Sequence, residues 1–348
     1  MNHKILFRCD AGDAPEIGTG HIARSKTLAK ALISDGLIAE KEILFFTRHD
    51  KGFNLGSRYL DGEDFKFQSF DNNMLKANSD SEIKLLLNQN ADLIIIDRLK
   101  TTSKLVKTLK FHGKKVVTFD DYGTGRLFAD LAISSIFDDV PYSKNLKKGY
   151  EYLILSKKSY PQSIVNNETK KIVATFGGND QRDICSHFLS IANSIPSDIE
   201  IDIILGKIND DLIKKYQDKI KSLKKISHIK LHVFPSNYHE IISSADLAIS
   251  TGGLSIFEFS AFGIPSIGIP QYKHQLRTIQ KLAKEGITKL GSDGMTLSNK
   301  KFLDAINLLI SDNKLRKLMA LNARNKIDGN GVIRIKDLLL SKFKEVFV

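Results

Sequence analysis

The residues best suited to chemistry lie between positions 10 and 32. The apolar run 4–9 predicts a β-strand that ends at Asp10, which puts a carboxylate at the carboxyl end of a strand. Open α/β sheets bind their ligands at that end. A tight turn that lets the backbone approach a ligand is predicted next, at Gly18, Thr19 and Gly20.

His21 follows this turn and lies in the first turn of a predicted helix, because apolar residues recur at helical spacing from Ile22 to Ile33. The free N–H groups and the positive dipole end of a helix favour anions and disfavour a protonated imidazole. A neutral imidazole is a usable general base, so His21 is the candidate base and Asp10 a candidate catalytic carboxylate. By spacing alone, the same residues also fit a simple turn followed by a histidine without a chemical task.

A second candidate site lies in the stretch 250–270. A predicted strand ends at Ser250 and a helix begins near Leu254, so the free N–H groups of that helix can hold a diphosphate. Glu258 lies about one turn into the helix, where a carboxylate can accept both hydroxyls of a ribose. The alternative is a solvated helix carboxylate, although apolar neighbours favour a partner. The predicted binding residues here are Thr251, Gly252, Gly253, Ser255 and Glu258.

Two further loops complete the predicted binding set. Glycines again separate a strand from a helix in the second half of the chain, at Gly177, Gly178 and Asn179. His274 and Gln275 follow another strand and open a helix, which puts them at a second strand end over the same predicted cleft.

Strands that alternate with helices must position these loops, and they predict two doubly wound, Rossmann-like α/β domains that face a cleft. The domains are predicted at 1–160 and 161–348, because the polar stretch 157–170 contains Pro161 and lacks apolar periodicity. The last amphipathic helix, 332–348, could pack back on the first domain. Further strands are predicted at 43–47, 93–97, 115–119, 131–135, 150–155, 172–176, 201–205, 230–234, 246–250 and 266–269.

The composition is that of a soluble globular protein, with 348 residues of which 42% are hydrophobic and 26% charged. No apolar run approaches the roughly 18 to 20 residues that span a bilayer, so no stable membrane insertion is expected. The N-terminus lacks the apolar core of a signal peptide, which predicts a cytoplasmic protein. Two cysteines, Cys9 and Cys185, fit a reducing compartment and suggest neither a disulfide framework nor a zinc site.

The formal net charge of +12 would suit a nucleic-acid partner, but the lysines are spread over the whole chain, so none is predicted. A positive field also attracts nucleotide diphosphates and anionic membrane surfaces. The pair Asp120 and Asp121 could bind a divalent metal, yet adjacent residues rarely share one ion and no supporting cluster is visible in the sequence. We therefore predict neither a metal nor a cofactor.

With these residues in view, the sequence resembles, over most of its length, the UDP-2,4-diacetamido-2,4,6-trideoxy-β-L-altropyranose hydrolases of pseudaminic acid biosynthesis and the related spore-coat polysaccharide proteins. The resemblance is carried by an acidic residue, a glycine turn, a Gly-His pair and a nearby arginine, which are Asp10, Glu16 to Ile22 and Arg24. Further matches are Asp97, the pair 120–121, the FGGND turn at 176–180 and the SxGG pattern with its glutamate at 250–258. These later motifs also resemble the GT-B nucleotide-sugar transferases, including the N-acetylglucosaminyltransferase of peptidoglycan synthesis.

The resemblance implies a metal-independent GT-B enzyme that cleaves the bond between sugar C1 and the diphosphate, releases UDP and inverts the anomeric centre. It implies that His21 activates water and that Arg24 and Asp97 bind substrate. The chain departs from the hydrolases at His274-Gln275, where they usually carry Asn-Gln. His-Gln at this place is familiar among the transferases.

Three hypotheses follow. The first is a UDP-sugar hydrolase, the second a GT-B glycosyltransferase that gives the sugar to an acceptor, and the third a non-catalytic protein that binds a nucleotide sugar. Incubation of a UDP-sugar without an acceptor separates them. The sequence identifies neither the sugar nor the oligomeric state.

Overall fold

The computed structural model describes residues 3–12, 17–71, 76–136, 140–156, 159–177, 180–206, 210–223 and 228–347. The chain divides into unit 1, Met1–Lys158 with Gly329–Val348, and unit 2, Ser159–Asp328. By position, 329–348 falls within the predicted second domain, although its last helix is also expected to pack back on the first. This segment joins unit 1 because Ile335 and Leu339 of the last helix lie in the apolar core of that unit.

Unit 1 contains a seven-stranded parallel sheet in the order β3-β2-β1-β4-β5-β6-β7. The central strands are continuous apolar runs because helices cover both faces of such a sheet. Cys9 pairs with Asp97, and Asp97 pairs with Phe119, so β1, β4 and β5 end at one level. Side chains that follow these three strands therefore meet at one edge. The strands are β1 (Ile5–Cys9), β2 (Ile43–Arg48), β3 (Lys66–Phe70), β4 (Leu93–Asp97), β5 (Lys115–Phe119), β6 (Leu131–Ser134) and β7 (Leu146–Lys148).

Unit 2 repeats this design with a six-stranded parallel sheet in the order β10-β9-β8-β11-β12-β13. Because β11 lies between β8 and β12, the loops after these three strands are neighbours. The strands are β8 (Lys171–Thr175), β9 (Glu200–Leu205), β10 (Ile229–Val233), β11 (Leu247–Ser250), β12 (Ser266–Gly268) and β13 (Thr288–Leu290).

Helices alternate with these strands, as doubly wound sheets require. Within the described ranges, no helix is long and apolar enough to cross a membrane. The helices are α1 (Gly20–Ser34), α2 (Leu55–Leu60), α3 (Asp80–Asn88), α4 (Ser103–Phe111), α5 (Ile184–Ala192), α6 (Asp210–Lys221), α7 (Tyr238–Ser243), α8 (Leu254–Phe262), α9 (Lys273–Lys284), α10 (Asn299–Ser311), α11 (Asn313–Lys326) and α12 (Gly331–Lys342).

One predicted strand is wrong. The segment 150–155 forms a single turn of 3-10 helix at Tyr150–Tyr152 and then a buried extended stretch. A Cβ at Gly331, the first residue of α12, would lie 2.0 Å from the carbonyl oxygen of Leu153. The apolar residues of this stretch are therefore buried beside the start of α12, while β7 takes the place next to β6 in the sheet.

A buried ion cluster stabilises unit 1 beneath the strand ends. Arg8 of β1 is fully buried, and its Nε donates to Oε1 of Glu82 at 2.7 Å. Arg98 Nη1 donates to the same oxygen at 2.9 Å. Burial alone would raise the pKa of Glu82, but the two guanidinium groups outweigh it and lower that pKa to about 2.

Glu82→Gln should destabilise the protein by roughly 3 to 5 kcal/mol at pH 7, because it removes the carboxylate that two buried guanidinium groups share and leaves Arg8 with Asp10 alone. A depressed folded-state pKa contributes stability that is present above about pH 4.5 and is lost as the pH falls towards 2. Urea unfolding as a function of pH should therefore be flatter over that window in Glu82→Gln. Glu63→Gln, at a part-exposed carboxylate paired with Lys26 and Lys30, is the control and should change little. Equal pH dependence in wild type and Glu82→Gln would contradict this assignment.

Candidate active site

The strand ends of unit 1 bring His21 and Asp97 together. His21 is the second residue of α1, and its Nδ1 lies 2.6 Å from Oδ1 of Asp97, the last residue of β4. The imidazole is 13% exposed and the carboxylate 1% exposed. The pair therefore consists of a buried acid behind a partly accessible base.

This contact fixes the tautomer of the imidazole. Burial alone would raise the pKa of Asp97, but the charges of Arg24 and His21 outweigh it and lower that pKa. An ionised carboxylate only accepts hydrogen bonds, so Nδ1 of His21 must carry the proton that it donates to Asp97. In the neutral ring, Nε2 then keeps its lone pair and can accept a proton from a reacting group.

Arg24 lies one turn along α1 and holds Asp97 from the other side. Its Nε donates to Oδ2 and its Nη2 to Oδ1, both at 2.5 Å, and its Nη1 donates to Asp120. Burial alone would lower the pKa of Arg24, but the two carboxylates outweigh it and raise that pKa. Arg24 and Asp97 thus form hydrogen bonds within the cluster, and a direct contact of either with substrate stays a prediction.

Asp10 has different partners. Its Oδ1 accepts from Nη1 of Arg8 at 2.6 Å and from the backbone N–H of Arg48 at 2.9 Å. The carboxylate that holds the imidazole is Asp97, so a catalytic role for Asp10 stays a prediction. The predicted turn before the helix reaches the same edge: Gly18 accepts from the N–H of Gly12, Thr19 is hydrogen-bonded to Tyr59, and Gly20 begins α1.

The loops of unit 2 also meet. A Cβ at Gly177 would lie 3.5 Å from Oγ1 of Thr251, and a Cβ at Gly252 would lie 2.7 Å from the carbonyl oxygen of Gln275. Gly252 therefore permits the start of α9 to approach the loop after β11. Gln275 Oε1 accepts from the N–H of Gln271 and joins the same edge. The predicted residues Gly178 and Asn179 lie outside the described residues.

Helix α8 begins at this edge as a candidate anion site. Its N-cap is Gly253, no side chain caps its first turn in this described stretch, and that turn carries no acidic residue. The first N–H groups of a helix have no intrahelical partner. A diphosphate can take their hydrogen bonds and gain from the helix dipole.

Glu258 of α8 is buried and partnered, so the solvated alternative is wrong. Its Oε2 accepts from the Tyr238 hydroxyl at 2.7 Å, and its Oε1 lies 3.8 Å from Nε2 of His239. Burial, followed by the charge of Glu258, raises the pKa of Tyr238 well above its usual value. The same hydroxyl lies 3.1 Å from Oγ of Ser255. These contacts fix the carboxylate in position, and its contact with a ribose stays a prediction.

His274 of α9 stacks on Tyr272, with ring centroids 5.5 Å apart and planes 13° apart. The imidazole is therefore held at the start of the helix that carries Gln275. The structure places it on the predicted loop, and its contact with a sugar stays a prediction.

A further candidate residue, which the sequence does not single out, is Phe234, the residue that follows β10. Its φ of 45° is unusual for a bulky residue, and its side chain is 50% exposed. Such backbone strain clusters at functional sites. No local sequence signal marks it, because the strain comes from the backbone path at the strand end.

Two acidic motifs are hydrogen-bonded within the protein. Asp180 caps α5 by accepting from the N–H groups of Ile184 and Cys185, both at 2.8 Å. Asp120 and Asp121 bind different partners, Arg24 and the N–H of Thr101. In the part of the chain that the structure describes, no group of three or more His, Cys, Asp or Glu side chains could hold a metal ion.

Comparison with known proteins agrees with this architecture. Residues 172–329 match the Glycosyltransferase family 28 C-terminal domain. The chain is 22% identical over 347 residues to the spore coat polysaccharide biosynthesis protein SpsG of Bacillus subtilis (strain 168), covering 95% of this chain and 96% of that protein.

Solved structures share the fold. MurG of Acinetobacter baumannii has a TM-score of 0.70 at 14% identity, covering 98% of this chain and 100% of that one. The UDP-GlcNAc 2-epimerase from Neisseria meningitidis bound to UDP-GlcNAc has a TM-score of 0.62 at 14% identity, with coverage of 98% and 100%. The predicted fold class is therefore confirmed: the chain has the GT-B fold of two Rossmann-like domains, and its second half is similar to the C-terminal domain of family 28 glycosyltransferases.

Proposed function

We propose that this protein is an enzyme that transfers the sugar of a UDP-sugar from the diphosphate to a hydroxyl acceptor. The observation that carries the proposal is the contact between His21 and Asp97, which leaves Nε2 of the imidazole ready to accept a proton. The similarity to family 28 glycosyltransferases and the GT-B fold favour transfer over the hydrolysis that the sequence alone suggested.

The reaction is a single displacement. Nε2 of His21 takes the proton from the acceptor hydroxyl as its oxygen bonds to sugar C1. The bond between C1 and the diphosphate oxygen breaks, its electron pair stays on that oxygen, and UDP leaves. Asp97 stabilises the imidazolium that forms. Attack opposite to the leaving group inverts the anomeric centre.

The loops of unit 2 supply the features that UDP needs. The first N–H groups of α8 suit the diphosphate, because they lack a side-chain cap and stabilise negative charge on the leaving group. Glu258 suits the ribose hydroxyls as an oriented acceptor. Phe234 is 50% exposed, and an aromatic side chain of this kind is suited to stacking on a uracil base.

Hydrolysis is the second candidate, and the resemblance of Asp10, the Gly-His turn and Arg24 to the hydrolase signature favours it. The same base would then activate water in place of a hydroxyl. The chemistry at C1 and the leaving group are unchanged, so acceptor dependence alone separates the two reactions.

The test is UDP release from UDP-N-acetylglucosamine and from UDP-linked diacetamido sugars, with and without saccharide acceptors. Release that requires an acceptor supports transfer. Free sugar and UDP without acceptor would assign the protein as a hydrolase. Tight UDP binding without turnover of any donor would overturn the enzymatic proposal.

Glu258→Ala should weaken UDP binding by about 1.5 to 3 kcal/mol, since it removes charged hydrogen bonds to the ribose. Tyr238→Phe keeps the carboxylate and removes one of its anchors, so its effect should be smaller. Calorimetric titration with UDP measures both. An unchanged Kd in Glu258→Ala, in a variant that still melts cooperatively, would remove Glu258 from the site.

Phe234→Ala should weaken UDP binding by about 1 to 3 kcal/mol, the range for stacking of one base on an aromatic ring. Affinity for inorganic pyrophosphate should stay unchanged, because that ligand has no base. Val233→Ala is the matched control, because Val233 is the adjacent residue and is similarly exposed, at 41%. Equal UDP affinities in the two variants would contradict a stacking role.

A further inference from the structure

We infer that Asp120 is a positioning residue that acts on His21 through Arg24 and Asp97. The inference rests on the proposed role of His21 as the base, and it assigns a task to a carboxylate that lies two hydrogen-bonded residues away from the imidazole. Asp120 is 1% exposed, so it reaches the reaction only through its neighbours.

The backbone fixes Asp120 at the end of β5. Its φ of 44° lies in the left-handed region, which few residues other than glycine adopt. Its N–H donates to the carbonyl oxygen of Ile133 at 2.8 Å. Its Oδ1 accepts from the N–H groups of Ser135 at 2.7 Å and Ile136 at 3.1 Å. The Ser135 hydroxyl donates to Oδ2 at 3.0 Å. The carboxylate is thus anchored to the loop after β6 from several directions.

From this anchor a continuous chain of contacts runs to the imidazole. Asp120 Oδ2 accepts from Nη1 of Arg24. The Nε and Nη2 of the same guanidinium group donate to the two carboxylate oxygens of Asp97. Asp97 Oδ1 in turn contacts Nδ1 of His21 at 2.6 Å. A guanidinium group is a rigid planar fork, so fixing Nη1 fixes the plane in which Asp97 is held. The orientation of the imidazole therefore depends on an anchor that lies three contacts away, with Arg24 and Asp97 between the two.

Charge gives Asp120 a second effect. With a neutral imidazole, the charges of Asp97, Arg24 and Asp120 leave the cluster at −1. When His21 takes a proton, the cluster becomes neutral. Without Asp120, the same step would create a net positive charge in a buried site, which is costly at low dielectric. Asp120 therefore favours the imidazolium that forms during the displacement.

The next residue offers a matched control. Asp121 is also buried, at 3% exposure, but its Oδ1 accepts from the backbone N–H groups of Thr101 at 2.9 Å and Gly123 at 2.7 Å. Those contacts hold a loop. Asp121→Asn therefore reports the cost of neutralising a buried carboxylate at this edge without touching the contacts of Arg24.

The experiment compares Asp120→Asn with Asp121→Asn in the full chain. Nitrogen-15 NMR of the histidine rings reports the tautomer of His21 without substrate, and we expect the wild type to show Nδ1 protonated and Nε2 unprotonated. Asp120→Asn should give a mixture of tautomers and lose the downfield Nδ1–H signal. It should lower kcat by about 10 to 100-fold, the range found when a residue that orients a metal-bound histidine is replaced, with KM and the Kd of UDP unchanged. Asp121→Asn should keep both the tautomer and kcat.

Wild-type His21 signals and kcat in Asp120→Asn would overturn the inference, and so would equal losses in Asp121→Asn. If Asp120→Asn fails to fold, Ser135→Ala takes its place. That variant keeps the charge and removes one anchor, so it should shift the tautomer ratio, and an unshifted ratio overturns the inference. Failure of the proposed function would look different: turnover would survive in His21→Ala, while the NMR comparison would still decide whether Asp120 controls the imidazole.

Discussion

His21→Ala should lower kcat by about 10² to 10⁴-fold while UDP still binds. The rate falls because the variant loses the group that takes the proton from the acceptor, and loss of a general base has an effect of that size. UDP binding persists because the features that suit it, Glu258, Phe234 and the start of α8, all belong to unit 2. Saturating turnover rates and calorimetric titration with UDP measure the two effects separately.

The control for this variant is His112→Ala, at the exposed histidine that follows α4. It should leave both kcat and the Kd of UDP unchanged. The assignment of the base is wrong if His21→Ala turns over at the wild-type rate, or if it no longer binds UDP.

Asp97→Asn should lower kcat by about 10³ to 10⁴-fold although the imidazole remains. An amide can present its N–H₂ group to Nδ1, which then must accept, and the proton moves to Nε2 where the base has to be free. Loss of tautomer control has an effect of that size in histidine-dependent enzymes. The variant also leaves Arg24 with one carboxylate in place of two, which should reduce stability by about 1.5 to 3 kcal/mol.

The double variant His21→Ala/Asp97→Asn makes this prediction sharper. If Asp97 acts only through the imidazole, the double variant should be no slower than His21→Ala alone. Full additivity of the two losses would show that Asp97 acts on the substrate directly, as the hydrolase resemblance implied.

Sequence reasoning succeeded where a signal is local. Strands 93–97 and 115–119 match β4 and β5 residue for residue, because a strand buried on both faces reads as a continuous apolar run. The edge strand β3 was missed because most of its side chains are exposed, and β13 because three residues give no pattern. Both strands are defined by their pairing with a neighbouring strand, which the sequence does not display.

In the candidate site, too, local patterns predicted single residues but not their partners. The glycine turn and the helix start located His21, but its partner lies 76 positions away, and Arg24 reaches Asp120 across 96 positions. Those contacts depend on β4 and β5 following β1 in the sheet order, which no local motif encodes. Asp10 was predicted as a catalytic residue because it follows a strand and matches the family signature, and its carboxylate accepts hydrogen bonds from Arg8 and from the backbone of Arg48.

The anomeric configuration of the sugar product, read by proton NMR in the first minutes of turnover, tests the central claim most directly. A base that activates the nucleophile for one displacement at C1 predicts a product of configuration opposite to that of the UDP-sugar donor, and the same NMR spectra of His21→Ala should show almost no product. A product that retains the donor's configuration would require either two displacements at C1 or attack from the face of the leaving group, and would contradict the role given to His21 and Asp97.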